Sequence, residues 1–163
     1  MNINKNSINE VFQMVDLNNL EDLREIVNES NVNIFINELG QNLLHIAITR
    51  NSPEVFNYLL YCDIDVNKLD RDGKTPLHYS TAYNNFDFTK LLLDSKKIEK
   101  GIKDQYGNNP MWVAVFNSRG YYDVVKLLME HKVDATSKNN NGRSALDFAK
   151  QIEDEELIEI LES

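Results

Sequence analysis

One nine-residue segment returns along this chain at nearly constant spacing, and that period limits what the chain can fold into. The segment is Asp70-Arg71-Asp72-Gly73-Lys74-Thr75-Pro76-Leu77-His78. Stepping back 33 residues gives Asn37-Glu38-Leu39-Gly40-Gln41-Asn42-Leu43-Leu44-His45. Stepping forward 34 gives Asp104-Gln105-Tyr106-Gly107-Asn108-Asn109-Pro110-Met111-Trp112, and a further 35 gives Asn139-Asn140-Asn141-Gly142-Arg143-Ser144-Ala145-Leu146. A unit of this size cannot bury its own apolar face. It must stack on its neighbours and share one continuous core with them.

Each unit carries the signals of a turn followed by two short helices. Gly40, Gly73, Gly107 and Gly142 stand where a turn needs positive φ. Thr75-Pro76 and Asn109-Pro110 pair an N-cap residue with proline at the first helical position, where its missing N–H costs nothing. Ser52-Pro53-Glu54 follows the same logic for a second helix, and Ser144 caps the first helix of the last unit. Expected core positions are Leu77, Phe88, Leu91 and Leu92 in the third unit, and Met111, Val124, Val125 and Leu128 in the fourth. Ala47, Ser80, Ala114 and Ala149 share one register, where a small side chain lets helices approach. An earlier unit lacks the turn segment but keeps helical spacing through Val11, Met14, Val15, Leu20, Leu23, Ile26 and Val27.

Together these features divide residues 1–163 into one domain of units at about 4–36, 37–69, 70–103, 104–138 and 139–163. The turn with Thr-Pro-Leu-His resembles the fingerprint of the ankyrin repeat family, and the likeness runs over nearly the whole chain. It implies an all-α solenoid of stacked helix-turn-helix units with projecting β-turn fingers. Lys96 to Gly101 replaces the family's usual Gly-Ala-Asp, and about two extra residues fall near Ser118-Arg119. Trp112 stands where the second and third units have histidine.

The resemblance further implies a non-catalytic protein-binding module whose fingers and first helices form a concave face. Carried over by position, the partner-binding residues are Leu39, Gln41, Arg50, Arg71, Asp72, Lys74, Tyr83, Gln105, Tyr106, Asn108, Phe116 and Arg143. Tyrosine and arginine are the residue types that dominate interface energetics.

Candidates for chemistry have structural explanations. His45 and His78 occupy one repeat position, and in the family that histidine hydrogen-bonds the neighbouring turn backbone. One cysteine, Cys62, and three dispersed histidines give no zinc-ligand spacing. Asp63-Ile64-Asp65-Val66-Asn67 starts like a calcium loop but has Lys68 and Lys74 where glycine and glutamate belong. No phosphate-binding glycine loop appears. No catalytic residue, metal or cofactor is therefore expected.

The formal charge of −9 disfavours nucleic acid and anionic membranes as partners and favours a basic protein. The polar Met1–Asn9 stretch lacks the features of a signal peptide, so a cytoplasmic location is expected. The abundance of asparagine reads as compositional drift rather than as a signal. The simplest role is an inhibitor or immunity protein that neutralises a toxin, acting as a monomer when free. The alternative is an adaptor that joins two proteins.

Overall fold

A computed structural model describes residues 5–163. The first four residues, including the expected start of the first unit at Asn4, lie outside it. Among the described residues ten helices follow one another in antiparallel pairs: α1 (Lys5–Asp16) and α2 (Leu20–Ile26), α3 (Leu43–Thr49) and α4 (Pro53–Tyr61), α5 (Pro76–Ala82) and α6 (Phe86–Leu93), α7 (Pro110–Asn117) and α8 (Asp123–Glu130), α9 (Ala145–Gln151) and α10 (Glu155–Glu162). A 3-10 turn spans Val32–Ile34. The inner helices pack in the order α1, α3, α5, α7, α9, while α6, α8 and α10 pack as an outer row.

Ala47, Ser80, Ala114 and Ala149 are all buried along the inner row, where a larger side chain would push neighbouring helices apart. One core runs through all five pairs, from Val11 and Val15 to Leu157 and Leu161. Phe56 and Phe88 stack across the second and third units with ring centroids 4.4 Å apart. Leu91 departs from its expected place. Helix α6 turns Phe88, Thr89, Leu92 and Leu93 inward, and this face leaves Leu91 pointing to solvent.

The caps follow the sequence signals with one exception. The Asn42, Thr75, Asn109 and Ser144 side chains each accept from backbone N–H groups of the helix they open. Ser52 precedes Pro53 as expected, but its hydroxyl makes no cap bond. The connection at residues 118–122 is longer than its counterparts at 50–52 and 83–85. It places Arg119 and Gly120 at positive φ, where the shorter connections use one residue, Asn51 or Asn84.

Asparagine is more than drift here. Asn18, Asn51 and Asn84 recur every 33 residues at φ near +50°, a region this short polar side chain tolerates better than most. Asn33 and Asn67 bind the next unit's loop in both directions. The Asn33 amide donates to the Asp63 carbonyl while its Oδ1 accepts from the Asp65 N–H. The Asn67 amide donates to the Lys97 carbonyl while its Oδ1 accepts from the Glu99 N–H. The next position in this series is Gly101. There the lysines of the atypical segment take over: Lys100 Nζ donates to the His131 carbonyl and Lys103 Nζ to the Lys138 carbonyl.

Candidate protein-binding face

Four fingers project from the first helices, and each is closed by the same bonds. In the third unit the Asp70 N–H donates to the Lys74 carbonyl, and Asp70 Oδ1 accepts from the Asp72 and Lys74 N–H groups. Asn37, Asp104 and Asn139 do the same in their own turns. Backbone bonds then join finger to finger. The Arg71 N–H donates to the Leu39 carbonyl (2.8 Å), Gln105 to Asp72 (2.8 Å) and Asn140 to Tyr106 (2.9 Å). The fingers therefore form a fixed row.

His45 and His78 are buried and brace this row. Nε2 of His45 lies 3.2 Å from the Lys74 carbonyl, and Nε2 of His78 lies 3.0 Å from the Asn108 carbonyl. Nδ1 of each ring accepts the N–H of its own helix cap, Asn42 or Thr75. Burial pushes the His45 pKa down to about 4 and lowers that of His78 as well. Both rings are neutral at pH 7 and act as struts.

The expected partner-binding residues divide into three groups. Leu39, Tyr83, Tyr106 and Phe116 are large apolar groups in water, 56, 56, 59 and 62 % exposed. Arg50, Arg71, Gln105 and Arg143 are also exposed, and Asp72 and Lys74 are half-buried. Arg50 pairs with Asp16 at 2.7 Å, Lys74 lies 3.5 Å from Asp72, and Arg143 donates to the Gln151 side chain. Two residues are drawn inward. Gln41 is buried, contrary to expectation. Its Oε1 accepts from the Asn37 amide and its Nε2 donates to the Tyr79 hydroxyl, which in turn donates to Asp70 Oδ2. Asn108 is half-buried, its carbonyl facing His78 and its Oδ1 accepting from the Asn139 amide. Both side chains tie fingers together.

A groove of about 490 Å³ opens on the concave side between α5 and α7. It brings together Lys74, Tyr83, Tyr106, Asn108 and Phe116 from the expected set with Ala82 and Asn117, also expected at the exposed ends of the first helices, and adds His78, Tyr79, Asp104, Trp112 and Val113. Leu39, Gln41, Arg50, Arg71, Asp72, Gln105 and Arg143 are not in its lining. Trp112 is the informative addition. It occupies the position of His45 and His78, and its ring sits edge-on to Phe148 with centroids 5.6 Å apart. Phe116 tilts against the same Phe148 at 5.7 Å. The break in the histidine column was the signal in the sequence. Tyr79 had none: burial, then its bond to Asp70, pushes its hydroxyl up to about 12, so it stays a neutral wall.

Comparison with known proteins agrees with this architecture. A family model described as "Ankyrin repeats (3 copies)" matches residues 11–104, and one described as "Ankyrin repeats (many copies)" matches residues 105–162. The chain belongs to the ankyrin repeat family. Its similar proteins are otherwise diverse. It is 34 % identical over 99 residues to a transient receptor potential cation channel subfamily A member 1 homolog of Caenorhabditis elegans, covering 61 % of this chain. It is 30 % identical over 138 residues to the nuclear factor NF-kappa-B p105 subunit of Gallus gallus, covering 82 %. An ANK repeat-containing protein, nipk-1 of Caenorhabditis elegans, is 26 % identical over 159 residues, covering 88 %. The chain spans only 8, 14 and 26 % of these proteins' own lengths. What they share with it is the repeat, and ankyrin repeats are in general protein–protein interaction modules.

Among the described residues no group of three or more His, Cys, Asp or Glu could hold a metal ion. No described helix is long and apolar enough to cross a membrane.

Proposed function

We propose that this chain acts without catalysis, by covering part of a partner protein's surface with its concave face. The observation that carries this reading is the aromatic groove. Tyr83, Tyr106 and Phe116 are largely exposed on a face that the fold does not need to be apolar. Exposed aromatic groups gathered around a concavity are the pattern of an interaction site. A standard interface needs about 800 Å² per partner, which a row of four fingers and first helices can offer.

The finer role we propose is inhibition, such as an immunity protein blocking a toxin. The −9 charge supports it, because it would steer a basic protein toward the chain at long range. We extend the reading to a cytoplasmic location and a monomeric free state, to be tested by fractionation of host cells and by sedimentation. The primary experiment is a pull-down from host lysate with the wild type and a Tyr83→Glu/Tyr106→Glu control, followed by titration into the captured partner's activity assay. A partner lost by the control and silenced at one equivalent supports inhibition. A partner held equally by both baits removes the concave face from the proposal.

An adaptor role is the second reading, favoured by a separate aromatic pair on the outer helices. Tyr61 is 75 % exposed and stacks on Tyr58, beside Leu20 and Arg24. The acidic α10 and the Lys96–Lys103 loop offer further surface. An adaptor would form a ternary complex, whereas an inhibitor would saturate with one partner.

A further inference from the structure

The charge of the concave face differs from that of the chain. Its acidic side chains keep their charge but are held by hydrogen bonds and ion pairs within the face, and basic groups stand among them. Asp70 accepts two N–H groups on Oδ1 and the Tyr79 hydroxyl on Oδ2. Asp104 is buried and accepts two N–H groups within its own turn. Glu38 pairs with Lys5, which lowers its pKa, and Asp72 faces Lys74. Arg71, on the finger of the third unit, makes no ion pair among the described residues, although its charge helps to lower the Glu38 pKa, and Arg143, on the fifth unit's finger, donates to the neutral Gln151 side chain. The acids that produce the negative total stand elsewhere in good part, on α10 and the outer helices, as with Glu155, Glu156 and Glu159.

Two guanidinium groups with no ion-pair partner among the described residues thus stand on the fingers of the third and fifth units, outside the lining of the aromatic groove. Arginine presents a planar fork of donors that matches a carboxylate in bidentate fashion. An aromatic concavity takes a large apolar side chain and excludes water around it. Resting on the reading that the concave face binds a protein, we propose that its occupant is an acidic partner segment bearing a large aromatic or aliphatic side chain, laid across the fingers of the third to fifth units. One large apolar side chain of that segment enters the groove between Tyr83, Trp112 and Phe116, and its carboxylates meet Arg71 and Arg143. Partner choice at this face is then local: a basic protein drawn in at long range must still present an acidic stretch here.

The test uses the full chain and a random linear peptide library displayed on phage. Selected peptides are synthesised and their affinities measured against the wild type, Phe116→Ala, Arg71→Glu and Arg143→Glu, all at exposed positions, with circular dichroism melts as a folding control. The expected result is a shared motif of one large apolar residue beside Asp or Glu. Phe116→Ala should lower affinity about tenfold or more, and each arginine reversal several-fold, with unchanged melts. Peptides rich in Lys or Arg that are lost on Phe116→Ala would overturn the acidic occupant and leave the concave face standing. Peptides indifferent to all three substitutions would overturn both. No enrichment over a Tyr83→Glu/Phe116→Glu control protein would overturn the proposal as well.

Discussion

His45 shows how one residue can be read as chemistry and turn out to be a strut. Its Nδ1 takes the cap N–H of Asn42 and its Nε2 reaches the next finger, so both ring nitrogens are used while the ring is neutral. Protonation would place a second N–H against a donor. The folded pKa, about 4, is depressed below the ordinary 6.5 by burial. The unfolded chain therefore binds more protons between these values, and stability is complete above pH 6.5 and lost as pH falls toward 4. The loss for His45 is of the order of 3 kcal/mol at its limit, and His78 acts in the same direction. Urea unfolding of wild type and His45→Asn at pH 7.5, 5.5 and 4.5 checks this. The variant should be less stable at pH 7.5 but show a shallower decline on acidification. Parallel declines would mean that the ring does not govern it.

At the scale of elements, helices and fingers differ in how much the sequence revealed. Leu92 and Leu91 are neighbours on α6, one fully buried and the other facing water. Leu92→Ala should cost about 2–5 kcal/mol, and Leu91→Ala about 0.5 kcal/mol, in the same urea assay. The short helix left both leucines open as core positions, because eight residues hold barely two turns of period and the packing against α5 and α8 fixes the inward face. Fingers were more legible, since a turn glycine and a capped Thr-Pro act locally. Yet the sequence did not distinguish the glycines. A Cβ on Gly107 would meet Asn140 Oδ1 at 2.5 Å and Asn140 N at 2.7 Å, whereas one on Gly142 would meet nothing within 4 Å. Both have positive φ. Gly142→Ala should thus cost about 1 kcal/mol of backbone strain, and Gly107→Ala about 2 kcal/mol or more, because the next finger must also move. Equal costs would show that the fingers do not constrain one another. The groove was half legible for a similar reason: Tyr83, Tyr106 and Phe116 follow from repeat phase, but the inward turn of Gln41 depends on Tyr79, 38 residues away.

For the molecule as a whole, a stack with only neighbour contacts has a stability distributed along its length. The joints are not equal. His45 joins the second and third fingers and His78 the third and fourth, but Trp112 replaces this strut at the fourth. The fourth and fifth units are instead held by the Asn139 and Asn140 amides, Lys103 and the contact of Trp112 with Phe148. Several of these bonds are exposed, so water competes for them and each contributes little. Helix α5 is packed on both sides, by α3 and α7; its own His78 braces the following finger, and His45 of α3 braces the finger that leads into it. Native-state hydrogen exchange should therefore find its slowest amides in α5, with α9 opening at a free energy well below the global value. A peptide bound in the groove contacts α5 and α7 first, and would raise protection there; if it also reaches Arg143, protection in α9 should rise with it. Uniform protection across the five units would mean that the joint at Trp112 is as strong as those made by histidine, and that replacing the strut cost the array nothing in exchange for its aromatic groove.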